Sequence, residues 1–194
     1  AGPTGIGMVN LMKSQDDKLT KNDYIFSVVS DPTEIVAGMT NSSYDIAACP
    51  INLAATLYNK LQGNIQVLSV NTKGVLYILE NGNTINSLND LAGKKLYATG
   101  QGSTPEYILN YLLEKSGIAD KVEVEYVTSH DELATLAASG KATISMLPEP
   151  KVTAALTKNA DLRIALNLTA EFEKISGKTL IQGVVIAKKD FVEK

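Results

Sequence analysis

Gly102-Ser103-Thr104-Pro105, followed later by Met146-Leu147-Pro148-Glu149-Pro150, decides how this sequence is read, because the pair repeats an earlier one. Gly2-Pro3-Thr4-Gly5 and Ala48-Cys49-Pro50-Ile51-Asn52 stand in the same order and at nearly the same spacing. Each pair is a Thr-bearing Gly loop that opens a helix, then a strand ending in Pro with another helix after it. Those last helices carry Ala54-Ala55-Thr56-Leu57 and Thr153-Ala154-Ala155-Leu156. The repeat predicts two similar lobes facing one cleft. Helix starts present unpaired amide donors and about half a positive charge, so four of them together suit an anionic or strongly polar ligand. Thr, Pro and Gly also cap helices for structural reasons alone, and that alternative stands beside the ligand-binding one at every loop.

The 194 residues are enough for one large domain or two small ones with a real core. A hydrophobic share of 44% with 20% charged residues belongs to a globular protein and excludes disordered and fibrous classes. With a net charge of -3 and no Lys/Arg cluster, the chain lacks the electrostatic footprint of a nucleic-acid partner. No apolar run approaches the roughly 18 residues of a membrane span. A single cysteine, Cys49, forbids an internal disulfide, and one Cys with one His argues against a zinc site, so no metal is expected.

Apolar, β-branched runs alternate with helical segments, the pattern of βαβ units and mostly parallel sheets. Strands are expected at 44–48, 65–71, 75–80, 95–99, 122–127, 142–147, 162–167 and 184–188. Asp31-Pro32-Thr33-Glu34 and Ser129 with Glu132 read as capping boxes. Ile108, Leu109, Leu112 and Leu113 form an apolar stripe on the helix opened by Thr104-Pro105, with Gly117 as its stop. The chain is expected to cross between lobes at Asn71-Thr72-Lys73-Gly74 and to return at Ile181-Gln182-Gly183-Val184. Thr72, Lys73, Gly74, Gln182 and Gly183 are the hinge candidates. That assigns residues 1–75 and 182–194 to lobe I and 76–181 to lobe II. Both ends of lobe I read as incomplete, as in a trimmed domain or fragment: no strand feeds the loop at Gly2, and the chain stops at Asp190-Phe191-Val192-Glu193-Lys194.

Taken in order, several stretches resemble a known family. They are Gly2-Pro3-Thr4-Gly5-Ile6-Gly7-Met8, Tyr44-Asp45-Ile46-Ala47-Ala48-Cys49-Pro50, and Leu88-Asn89-Asp90-Leu91-Ala92-Gly93-Lys94-Lys95 followed by Gly102-Ser103-Thr104-Pro105. Leu136-Ala137-Ala138-Ser139-Gly140-Lys141-Ala142 and Val185-Ile186-Ala187-Lys188-Lys189-Asp190-Phe191 complete the set. The chain resembles the extracytoplasmic substrate-binding proteins of ABC importers, in the branch for nitrate, sulfonates, taurine and thiamine-precursor pyrimidines. The resemblance implies a two-lobed α/β fold of the type II periplasmic-binding-protein kind, with paired crossing strands as its hinge. It also implies a small-molecule solute and an ABC permease as partners, a monomer outside the cytoplasm, and membrane contact only through an upstream lipid anchor, as in a lipoprotein.

The family holds its ligand on loops after strands, which here match Thr4 and Gly5, Pro50 and Asn52, Ser103 and Thr104, and Pro148 and Glu149. These loops hold no Arg or Trp to clamp a sulfonate or stack on a ring, which argues against taurine and aromatic sulfonates. Ser103 and Thr104 offer hydroxyl and backbone donors for an anion, and Asn52 both donates and accepts unless it only caps its helix. Glu149, between two prolines, either aims its carboxylate at a ligand amine or is solvated at a helix start. Tyr107, on the first turn after Pro105, is the stacking candidate among the tyrosines. His130 beside Asp131 reads as a surface residue, and Cys49 as a small buried hydrophobe.

Gly100-Gln101-Gly102 lacks the third Gly of a dinucleotide fingerprint and no Gly-Lys-Ser/Thr is present, so no cofactor is expected. The reading is capture of a small polar or anionic organic solute by hinge closure, for delivery to the importer. The alternatives are an enzyme on the same fold, like the menaquinone-precursor dehydratase or pyrimidine synthase, or a ligand-sensing module. Only Glu149 or Cys49 is placed to serve an enzyme.

Overall fold

Each of the eight apolar runs overlaps a strand in the computed structural model, which describes residues 3–29 and 31–193. Gly2 and Lys194, quoted above, lie outside the described residues. The chain divides into two units, Ala1–Lys73 with Ile181–Lys194, and Gly74–Leu180. Among the described residues no helix is long and apolar enough to cross a membrane.

In the first unit the strands are β1 (Ile46–Pro50), β2 (Ile65–Lys73) and β8 (Ile181–Lys188), in the order β1-β8-β2. β8 is the middle strand, and its residues 183–188 are all buried, as expected where both edges are paired and the run Val184-Val185-Ile186-Ala187 is apolar throughout. Helices α1 (Pro3–Ile6), α2 (Val9–Asp16), α3 (Pro32–Thr40), α4 (Ile51–Lys60) and α9 (Lys189–Val192) belong to this unit. Met39 of α3 and Ala54 and Leu57 of α4 close a core with Cys49, Ile65, Val184 and Ile186. The capping box at the start of α3 forms: Thr33 N donates to Asp31 Oδ1 at 2.8 Å, and Asp31 N to Glu34 Oε1.

The second unit holds β3 (Leu76–Asn81), β4 (Lys95–Ala98), β5 (Glu123–Tyr126), β6 (Ile144–Pro148) and β7 (Leu162–Asn167), ordered β5-β4-β6-β3-β7. Around them lie α5 (Thr104–Lys115), α6 (His130–Ala138), α7 (Lys151–Lys158) and α8 (Leu168–Ser176). One face of the sheet, through Ile78, Leu96, Ala98, Ile144 and Met146, packs on the stripe Ile108, Leu109, Leu112 and Leu113 of α5 and on Leu168 of α8. The other, through Leu79 and Leu147, packs on Leu133 and Ala137 of α6 and Val152 and Ala155 of α7. Gly117 takes a φ of 68° after α5, the left-handed stop that a Cβ disfavours.

The sheets are mixed, which corrects the expectation of mostly parallel ones. β4 pairs in parallel with β5 and β6, as βαβ crossovers require, while β3 runs antiparallel to β6 and β7, and β8 antiparallel to β1 and β2. The reversed strands are the first to be laid down after each passage between units, β3 after Lys73 and β8 after Leu180. With no crossover helix before it, each enters its sheet from the end at which the neighbouring strands finish.

That geometry gives the sequence repeat its structural counterpart. Pro50, ending β1, faces Gly183 at the start of β8, and Pro148, ending β6, faces Leu76 at the start of β3.

Candidate functional site

In the second unit the carboxyl ends of three parallel strands feed three helices. β4 leads through Thr99 and Gly100 into α5, β5 leads into α6, and β6 leads through Pro148 and Glu149 into α7. Ser103 is the N-cap of α5 and Thr104 its first residue, both half-buried. The Ser103 hydroxyl donates to the Gly100 carbonyl at 2.6 Å, and Gly102 N donates to Glu106 Oε2 at 2.6 Å. The loop therefore already cradles a carboxylate, one supplied by its own first turn. Tyr107 is largely exposed; its hydroxyl donates to the Gly102 carbonyl, and its ring borders an open groove with Tyr111 and Phe172.

Pro148 is buried in β6, and Glu149 N donates to the Val75 carbonyl at 3.0 Å. The Glu149 carboxylate accepts from both the backbone amide and the hydroxyl of Thr153, one turn into α7. Of the two readings of this residue, the geometry is that of a carboxylate at a helix start.

His130 is half-buried, which corrects its reading as a surface residue. Its Nδ1 lies 2.6 Å from the hydroxyl oxygen of Thr99, itself buried at the end of β4. Asp131, next in the chain, pairs with Lys151 at the start of α7. Thr99, His130, Asp131 and Lys151 thus tie together the starts of the second and third helices and the exit of the first strand. Burial, reinforced by the Lys151 ammonium, lowers the His130 pKa against the opposing pull of Asp131. Hydrogen bonding to Lys151 lowers that of Asp131. The signal in the sequence was the placing of His130 and Lys151 each at a helix start after a strand. The contact with Thr99 is tertiary and had none.

In the first unit Pro50 is half-buried and Asn52 is exposed in the first turn of α4. Thr4 and Gly5 lie half-buried in α1, which packs against β1, β2 and β8. Asn71, in β2, was not anticipated: its Nδ2 donates to the Thr4 carbonyl at 3.0 Å. Of the hinge candidates, Thr72 is buried opposite Gly183, Lys73 is exposed opposite Ile181, and Gln182 is half-buried between these two pairings. Gly74 opens the second unit, packed against Thr169. The first unit thus gathers Thr4, Pro50, Asn71, Thr72 and Gly183 at one end of its sheet, and the second gathers Ser103, Thr104, His130, Pro148, Glu149 and Lys151 at one end of its own. Among the described residues no three His, Cys, Asp or Glu side chains form a metal-binding group.

A family model described as ABC transporter, phosphonate, periplasmic substrate-binding protein matches residues 17–190. Among solved structures, an ABC transporter from Parabacteroides distasonis is 24% identical with a TM-score of 0.77, over 99% of this chain and 65% of that one. The periplasmic aliphatic sulphonate binding protein SsuA from Escherichia coli is 16% identical with a TM-score of 0.71, over 98% of this chain and 64% of that one. The alkanesulfonate-binding protein SsuA from Xanthomonas axonopodis pv. citri is 15% identical with a TM-score of 0.58, over 100% and 64%. This chain therefore spans slightly under two thirds of the length of these proteins. At such identities the likeness carries the fold, which is of the periplasmic-binding-protein kind. No curated protein matches the chain.

Proposed function

The chain belongs to the phosphonate-type periplasmic substrate-binding proteins of ABC transporters, and from that premise we propose that it captures a small organic oxyanion outside the cytoplasm and passes it, unaltered, to an ABC permease. The observation that carries this reading is the linked group at the strand ends of the second unit. Three helix starts, the imidazole of His130, whose Nδ1 is taken up by Thr99 and whose Nε2 is left for a ligand, and the ammonium of Lys151, which has three protons and one carboxylate partner, are suited to a tetrahedral anion. Thr4, Gly5, Pro50 and Asn52 are proposed as contacts contributed by the first unit. The only Arg, Arg163, is taken up by Glu80 and the carbonyls of Gly82 and Ile85, whereas Lys151 has a single carboxylate partner, Asp131, so helix starts, His130 and Lys151 are the groups proposed to meet the solute's charge.

Binding without turnover is supported by the two residues best placed for chemistry. Cys49 is fully buried, with its thiol pushed up to about 11 by burial, which removes it as a nucleophile at neutral pH. Glu149 is engaged by Thr153. Thermal-shift screening of alkylphosphonates and alkanesulfonates tests the proposal. A true solute present at 100 times its dissociation constant stabilises the protein by about 2.7 kcal/mol, and Ser103→Ala combined with Thr104→Ala weakens that response while leaving the fold intact. No shift with any oxyanion, or conversion of a bound one to product, overturns it.

A further inference from the structure

We propose that Asn71 is a positioning residue for the Thr4–Gly5 segment, holding α1 onto the strand by which the chain leaves its first unit; the ligand side of this inference rests on the reading that this segment touches the solute. The register of β2 is the first ground. Val70 pairs with Val184 and Thr72 with Gly183, so Asn71 is an extra residue between successive partners, a bulge. A bulge turns one side chain out of the regular alternation and re-aims it. Here the re-aimed carboxamide donates to the Thr4 carbonyl at 3.0 Å across 67 residues of chain, while its oxygen accepts from the Thr72 hydroxyl at 3.2 Å.

Packing is the second ground. A Cβ on Gly7 would come within 2.9 Å of both Asn71 Nδ2 and the Asn71 carbonyl oxygen, so the residue just after α1 lies directly on the bulge. A Cβ on Gly183 would come within 2.5 Å of Thr4 Cγ2 and 2.8 Å of Thr72 Cβ, so the return strand fits the same segment with no room for a side chain. Thr4 is therefore held from two sides, by Asn71 through its carbonyl and by Gly183 through its methyl. Around Gly5, by contrast, an added Cβ would meet nothing within 4 Å. The segment is fixed along its strand-facing side and open at Gly5.

Asn71→Asp keeps the volume and removes the donor; Asn71→Ala removes both. Backbone order parameters from 15N relaxation read the result without any ligand. We expect Gly5, Ile6 and Gly7 to fall from the rigid range near 0.85 to below about 0.6 in both variants, with β1 and β8 unchanged. Unchanged values in the isosteric Asn71→Asp protein overturn the proposal whatever the protein binds. Calorimetric titration with methylphosphonate then separates the two readings. If the wild-type chain binds it, affinity falls about two- to tenfold in Asn71→Asp, the loss of one hydrogen bond's net contribution, and an unaltered affinity overturns the ligand side of the assignment. If the wild-type chain shows no affinity for methylphosphonate or any other oxyanion, the functional reading fails, and the order parameters alone decide the role of Asn71.

Discussion

The hydroxyl oxygen of Thr99 and Nδ1 of His130 lie 2.6 Å apart, joining the exit of β4 to the first turn of α6. A threonine buried at a strand end is thereby satisfied by a ring that is itself only partly exposed to water.

Burial and Lys151 make His130 harder to protonate in the folded protein than in the unfolded chain, where imidazole titrates near 6.5. Between the lowered folded value and 6.5 the unfolded state therefore binds more protons, and stability falls as pH drops through that window. Above 6.5 the contribution is fully present. As the only histidine, His130 can be followed directly by NMR. Melting temperatures between pH 8 and pH 5.5 are expected to decline more in wild type than in His130→Asn; parallel declines would remove His130 as the cause.

Glu106 places a carboxylate oxygen 2.6 Å from the amide of Gly102, inside the loop proposed to receive an anion. A solute oxyanion meets both a competitor for that amide and a like charge. Glu106→Gln is expected to tighten oxyanion binding about two- to fivefold, the effect of removing about 0.3–1 kcal/mol of charge at a helix start. Calorimetry at low and high salt checks it, with a smaller gain at high salt.

Glu80 is a buried carboxylate on β3 that accepts from Thr84 N, the Thr84 hydroxyl, Ile85 N and Arg163 Nη2. Arg163, on β7, also donates to the carbonyls of Gly82 and Ile85. It therefore pins the turn after β3 as well as neutralising the charge. Arg163→Met leaves that charge buried with three donors, and a loss of about 2–3 kcal/mol in urea unfolding is expected. Glu80→Gln combined with Arg163→Met should recover part of it.

At the passage into the second unit, a Cβ on Gly74 would lie 1.7 Å from Thr169 Oγ1. Gly74→Ala is expected to destabilise by about 1–3 kcal/mol through overpacking. Thr169→Ala, which also removes a buried hydroxyl without a partner, should recover part of that loss in a double-mutant cycle. Strict additivity would show that the two residues do not meet.

The strands were legible because burial writes itself into composition: Val184-Val185-Ile186-Ala187 is apolar throughout and lies in the middle of its sheet. Their direction was not, because the same run serves a parallel or an antiparallel neighbour, and the reversal of β3 and β8 follows from where the chain re-enters each unit. The placing of Ser103, Thr104, Pro148 and Glu149 at a strand end and helix starts was legible through capping chemistry, which is local. His130 and Asn71 escaped because one depends on a threonine in another strand and the other on a bulge, and neither leaves a trace in the spacing of nearby residues. Glu149 was legible as a helix-start carboxylate but not as the partner of Thr153.

The placing of β8 at the centre of the β1-β8-β2 sheet sets the order in which the protein can be completed as it leaves the ribosome. Gly74–Leu180 is one unbroken stretch, so the second unit completes its sheet without any residue of Ile181–Lys188. The first unit, begun earlier, has two sheet strands with no bridge between them until Ile181–Lys188 emerges. Domains generally mature from the amino end during synthesis; here the second unit can close before the first, and a chain ended at Leu180 and released from the ribosome would resist protease in 74–180 while 46–73 is still cut.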